Sequence, residues 1–182
     1  MHYYEFMIAL NILDIKKFMS AFLIGSLFDD YLLIESQITT FCTFSIDGRL
    51  EKLFGAEGGS DAEETAKNRD ASEDQGADYV RWSAVREKCF SVIKGKHTPL
   101  FFKFVFFFPP EKLREFLNKT DSPLLPQQLG GLCLNLRFDG TNLFLTTGLS
   151  LKVFSPDREL GRAWDDFVRQ LLIDHDILVS EM

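Results

Sequence analysis

From Phe6 to Leu13 the chain runs apolar with β-branched content, which predicts a strand, and Asp14 then stands where a helix N-cap belongs. Ile15, Phe18, Met19, Phe22 and Leu23 recur at helical spacing, and Gly25 is expected to end that helix in a left-handed conformation. Tyr31 to Ile46 reads as extended, with Ile38, Thr40, Cys42, Phe44 and Ile46 on one face. Asp47-Gly48 then predicts a tight hairpin into a further strand, Arg49 to Phe54. The order of this half is strand, helix, strand, strand, strand.

Downstream, Trp82, Val85, Cys89, Val92 and Ile93 mark a helix at about 79–94 that stops at Gly95. Leu100 to Phe108 is too short for a lone helix and rich in aromatics, so it predicts a strand buried on both faces. Pro110 suits the first turn of a helix carrying Leu113, Phe116 and Leu117. After a loop with Pro123, Pro126 and Gly130-Gly131, strands are expected at Leu132 to Phe138, Leu143 to Thr147 and Leu149 to Phe154. The last element is a helix at about 156–175, capped by Ser155, opened by Pro156 and striped by Leu160, Ala163, Trp164, Phe167, Val168, Leu171 and Leu172. Asp165 with Arg169, and Arg162 with Asp166, stand at i,i+4 and are expected on its outer face.

These elements make an α+β fold: two β-α-β-β-β units with additional helices at 79–94 and 156–175 packed on the sheet. The chain reads as a single domain over 1–182 with one interruption. Residues 55–78 hold eight acidic and two basic side chains and no large apolar one, so they carry six of the seven net negative charges. Such a segment has nothing to bury and is expected to be a flexible acidic insertion. The remainder is close to neutral, which weighs against a general nucleic-acid binder.

Nineteen phenylalanines are the compositional outlier, and Phe carries no polar atom that needs a partner, so the excess points to core packing. Cys42, Cys89 and Cys133 are odd in number and far apart, encoding neither a disulfide framework nor a zinc site. The N-terminus shows no secretory pattern, and the longest apolar stretch, Leu100 to Phe108, falls far short of the ~20 residues that span a membrane. A cytoplasmic location, with no membrane partner and no cofactor, is the expectation.

Four stretches resemble a family of unknown function from anaerobic Gram-positive bacteria. They are Met7-Ile8-Ala9-Leu10, the segment from Ile38-Thr39-Thr40-Phe41 to Ile46-Asp47-Gly48, the segment from Ile93-Lys94-Gly95-Lys96 to Thr98-Pro99-Leu100, and Thr146-Thr147-Gly148 with Ala163-Trp164-Asp165-Asp166. The likeness spans nearly the whole chain apart from the acidic segment and implies no activity or site; it also implies a start near Met7. The doubled strand, helix, strand, strand, strand order resembles that of DNA sliding-clamp domains, which implies a duplication and basic residues such as Lys16, Lys17, Lys112 and Arg114 on inward helices.

No recognisable motif surrounds His2, His97 or His175, and catalytic and metal-binding residues are assigned to none. His97 lies in Lys94-Gly95-Lys96-His97-Thr98-Pro99, between a helix end and a strand, where binding loops often sit. Lys94 and Lys96 also complement a helix C-terminus, whereas Lys16 and Lys17 oppose the macrodipole in a first turn and would welcome an anion. Asp47 and Asp139 precede glycine and suit turns; Glu35 in a strand is expected to face outward. Lys16, Lys17, Lys94, Lys96 and His97 are therefore the candidate binding residues. The leading expectation is a non-catalytic binding or regulatory domain that meets a protein partner or itself. The alternatives are a clamp-like protein associated with nucleic acid, and an enzyme or small-ligand binder using a Phe-lined pocket near His97.

Overall fold

The computed structural model describes residues 3–51, 78–120, 122–155 and 158–182, with side chains described from Ile8 onward. Of the predicted acidic insertion only Asp78 falls within them. The order is β1 (Tyr3–Ile12), α1 (Ile15–Leu23), β2 (Leu32–Thr39), β3 (Thr43–Asp47), α2 (Trp82–Ile93), β4 (Phe101–Phe107), α3 (Pro110–Asn118), a 3-10 turn (Pro126–Gln128), β5 (Leu129–Phe138), β6 (Leu143–Leu151), α4 (Glu159–Asp174) and β7 (Val179–Glu181). The class is α+β. Among the described residues the strands form one antiparallel sheet in the order β3-β2-β4-β5-β6-β1-β7.

Cross-strand register sorts the side chains into two faces. One row, Leu10, Leu145, Leu136, Phe104 and Ser36, is buried across five strands beneath the helices. Phe22 of α1 stacks on Trp82 of α2 at 4.5 Å, and Trp82 donates its indole N–H to the Phe22 carbonyl at 3.1 Å. Both rings meet Phe104 and Phe106 edge-on. On α4 the buried stripe is Leu160, Trp164, Val168 and Leu172, packed over β6 and β1. The opposite face carries the row Ser45, Gln37, Lys103, Arg137, Phe144, Asn11 and Ser180.

Several expectations change in detail. The reversal after β2 falls at residues 40–42, where the Thr39 and Thr43 hydroxyls bond at 3.0 Å, and not at Asp47-Gly48. The tight turn keeps even-numbered residues on one face, so the alternation from Ile38 to Ile46 runs unbroken through it. Arg49 forms only an isolated bridge to Tyr79; the rest of the strand expected there, from 52 on, lies outside the described residues. The two strands expected over 143–154 are one, so the described elements do not show a third strand following β2 and β3 or β5 and β6. In β4 only one face is fully buried: Phe102, Phe104 and Phe106 are inside, while Phe101, Lys103, Val105 and Phe107 are half-buried. Ser155 is not the cap of α4, whose N-cap position is Arg158; residues 156 and 157 are outside the description.

Two glycines are required by close approach. Gly25 is not left-handed; a Cβ there would lie 2.7 Å from the Ala21 carbonyl oxygen. At Gly48 the corresponding contact would be 1.7 Å, with the Leu33 carbonyl oxygen, so any side chain would push β2 away from the chain leaving β3. No helix among the described residues is long and apolar enough to cross a membrane.

Candidate functional site

The C-terminal ends of β2, β5 and β1 and the start of β4 share one end of the sheet. There the loop after α2 returns: the Leu100 amide donates to the Thr39 carbonyl at 2.8 Å, and a Cβ on Gly140 of the β5–β6 turn would sit 3.1 Å from the Leu100 carbonyl oxygen. The 38–48 and 93–100 stretches are thereby joined, although they lie far apart along the chain. Asp139 shapes the neighbouring turn by accepting from the Asn142 and Thr141 amides, which holds its carboxyl below the usual value.

All five candidate residues reach this end. His97 is exposed, with its ring 5.1 Å from that of Phe41, which in turn meets Phe44 edge-on at 6.1 Å. Lys94 lies over the Phe90 ring at 5.2 Å, a cation–π contact that anchors the loop, and Lys96 is exposed beside it. Lys16 and Lys17 begin α1 immediately beyond β1, three strand spacings or about 14 Å across the sheet from β4. Lys17 stands 3.7 Å from Asp176, while Asp14 caps the helix by accepting from the Lys17 amide. His97 does not line either of the hollows described below, and no carboxylate among the described residues pairs with it.

What the pattern did not reveal is how much apolar surface this end shows. Phe41 is 73% exposed and Leu100 65%, with Leu13 and Leu178 also open to solvent. An extended run over 31–46 and a strand over 100–108 predict no such exposure; the reversal at 40–42 places Phe41 at the tip of the turn.

Hollows formed by the described residues lie elsewhere. On the uncovered face, Glu35, Gln37, Asp47, Arg49, Tyr79 and Lys103 border a polar one of about 560 Å³, in which Lys103 pairs with Glu35 at 2.6 Å. Between α3 and α4, Phe108, Phe116, Ala163 and Phe167 floor an apolar one of about 430 Å³, rimmed by Lys112 and Lys119. Each of those lysines is already matched, Lys112 to Asp30 and Lys119 to Glu115, both at 2.6 Å. Among the described residues no trio of His, Cys, Asp or Glu stands close enough to hold a metal ion.

Under α4 a polar cluster is sealed from water. Asp165 had been expected on the outer face paired with Arg169, yet it is only 7% exposed and accepts from the Thr147 hydroxyl. Arg169 instead pairs with Asp166 and Glu181, and Arg162 with Glu159. Here too separate stretches meet, since the Ile8 amide donates to Thr147.

A sequence profile of a family of unknown function, DUF5721, matches residues 21–180. The chain belongs to DUF5721. None of the curated proteins and none of the solved structures matches it significantly. As a DUF5721 member it takes no activity or site from the family description, so the geometry of its own surface has to supply the reading.

Proposed function

We propose that this chain is a non-catalytic binding domain of the bacterial cytoplasm, and that it holds a protein partner on the aromatic, lysine-flanked end of its sheet. The exposure of Phe41 and Leu100 carries the reading, because the fold's own core makes little use of either side chain and clustered apolar surface rimmed by polar groups marks interaction sites. Lys94 and Lys96 flank it and Lys16 lies farther along the same end of the sheet, each without a carboxylate partner among the described residues, which favours a partner segment mixing apolar and acidic side chains. His97, resting on Phe41, belongs to the same surface rather than to an enclosed catalytic pocket. Three free thiols support a reducing compartment.

A clamp-like role on nucleic acid has less support, since helix-borne Lys17 and Lys112 each face a carboxylate. The test is a peptide selection on the wild-type chain, counter-selected against Phe41→Ser/Leu100→Ser. Peptides with apolar and acidic residues should bind the double variant about tenfold or more weakly, while its melting temperature stays that of wild type. Peptides that bind both proteins equally would end the proposal.

A further inference from the structure

Among the described residues the sheet ends in two edges of unequal protection. β7 offers only three residues, Val179–Glu181, whereas β3 offers five, Thr43–Asp47, with no Lys, Arg or Pro and no bulge to discourage pairing. The Gly48 amide donates to the Ile34 carbonyl at 2.9 Å, which sets the phase of the β2–β3 ladder. By alternation Ile46 and Phe44 bond inward to Ser36 and Ile38, and Thr43, Ser45 and Asp47 turn their N–H and C=O groups outward. No backbone bond among the described residues uses that outer side.

We propose that β3 pairs antiparallel with β3 of a second copy of this chain, about a two-fold axis at Ser45, to make one continuous sheet. The strand Thr-Phe-Ser-Ile-Asp is complementary to itself in this register. Phe44, 37% exposed, meets Ile46 of the second copy on the helix-bearing side, in the more closely spaced kind of pair. Thr43 meets Asp47 on the other side, hydroxyl to carboxylate. The two Asp47 carboxylates stand four residues apart along the strands, about 14 Å, so like charges are not opposed. A strand of another sequence would have to match this alternation of apolar and polar positions, which a second copy does by symmetry. Phe41 and Leu100 lie outside the paired residues, although the Phe44 ring touches that of Phe41, so this interface adjoins the partner surface above without using its two anchors. Five residues a side bury less than a standard stable interface, and the association is reversible.

The experiment is light scattering on the full chain over a concentration series, with three sets of variants. Wild type should rise toward twice the chain's mass. Ser45→Pro removes an outward N–H and leaves the β2 ladder intact, so it should remain a monomer with a cooperative melt; Ser45→Lys, which sets two ammonium groups together on the axis, should do the same if the proline variant unfolds. In a Cys42→Ser background, Ser45→Cys should form a disulfide-linked dimer under mild oxidation. Thr43→Cys should not do so alone but should cross-link when mixed with Asp47→Cys, because only those Cα atoms come within disulfide reach. Phe41→Ser should dimerise like wild type. The proposal is overturned by a wild type that stays monomeric up to millimolar concentration, by a folded Ser45 variant that still dimerises, or by Thr43→Cys cross-linking as readily as Ser45→Cys.

Discussion

The Thr147 hydroxyl donates to Oδ1 of Asp165 at 2.5 Å while accepting from the Ile8 amide at 3.1 Å. That amide is free for the bond because the β1–β6 register shifts between Phe6 and Ala9. One hydroxyl therefore satisfies a donor that a β-bulge takes out of the ladder and an acceptor that a helix carries into the core.

Burial raises the Asp165 carboxyl above its ordinary 3.8, an effect that the Thr147 bond and the nearby Arg169 offset in part. The folded chain then holds this proton more tightly than the unfolded one. Its contribution to stability is present below the unfolded value and is lost as pH rises from there through the raised folded value. Asp165→Asn keeps an acceptor for Thr147 and has no charge to bury, so it should remove that loss and melt no lower than wild type at neutral pH. Thr147→Val should instead cost about 1–3 kcal/mol for each group it orphans. Urea titrations at several pH values check both, and an unaltered pH slope in Asp165→Asn would contradict the assignment.

Trp164 is wholly buried, stacked on Phe167, met edge-on by Phe108 and Phe116, and bonded through its indole N–H to the Cys133 carbonyl at 3.2 Å. Trp164→Ala should cost about 3–5 kcal/mol, a large part of the stability of a domain this size. Denaturant melts should show a largely unfolded or insoluble variant. A folded variant with an unchanged midpoint would mean that α4 does not cover the sheet in solution.

Leu50, ahead of the acidic stretch, and Asp78, its last residue, are neighbours. The Leu50 amide donates to the Asp78 carbonyl at 2.7 Å and the Val80 amide to the Gly48 carbonyl at 2.8 Å. A short Gly/Ser linker in place of residues 55–77 would close a loop whose flanking chain is already held together at Leu50 and Asp78, so the closure cost is small. The melting temperature should stay within a few degrees by calorimetry, whereas loss of the cooperative transition would show that the stretch packs on the domain.

Most of this architecture was legible in periodicity. The stripe from Ile15 to Leu23, the Asp14 cap and Pro110 at a helix start occur as read, and the strand around Phe104 occurs where it was expected though with only one face fully buried, because each element is specified by neighbours in the chain. Asp165 was misplaced for the opposite reason. Its neighbours predict an exposed i,i+4 partner for Arg169, whereas the hydrogen bond that receives it in the interior comes from Thr147, on strand β6. The turn at 40–42 was hidden because it preserves face parity, and with it went the exposure of Phe41. β7 was missed since three residues carry no periodicity. The candidate lysines and His97 were found one by one from local signals; that they share an end of the sheet follows from strand order, which no local signal records.

Strand β1 lies inside the sheet, between β6 and β7, so that Leu10 faces Leu145 on one side and Glu181 on the other. During translation, at roughly 5–20 residues per second, β1 is made on the order of ten seconds before either neighbour exists. The early strand stays unpaired until the chain is nearly complete, and loop closure over that separation must precede any reward from pairing. Assembly of this fold is therefore gated by its carboxyl-terminal third, and truncations that spare every residue of β1 to β4 still leave β1 without a place to lie.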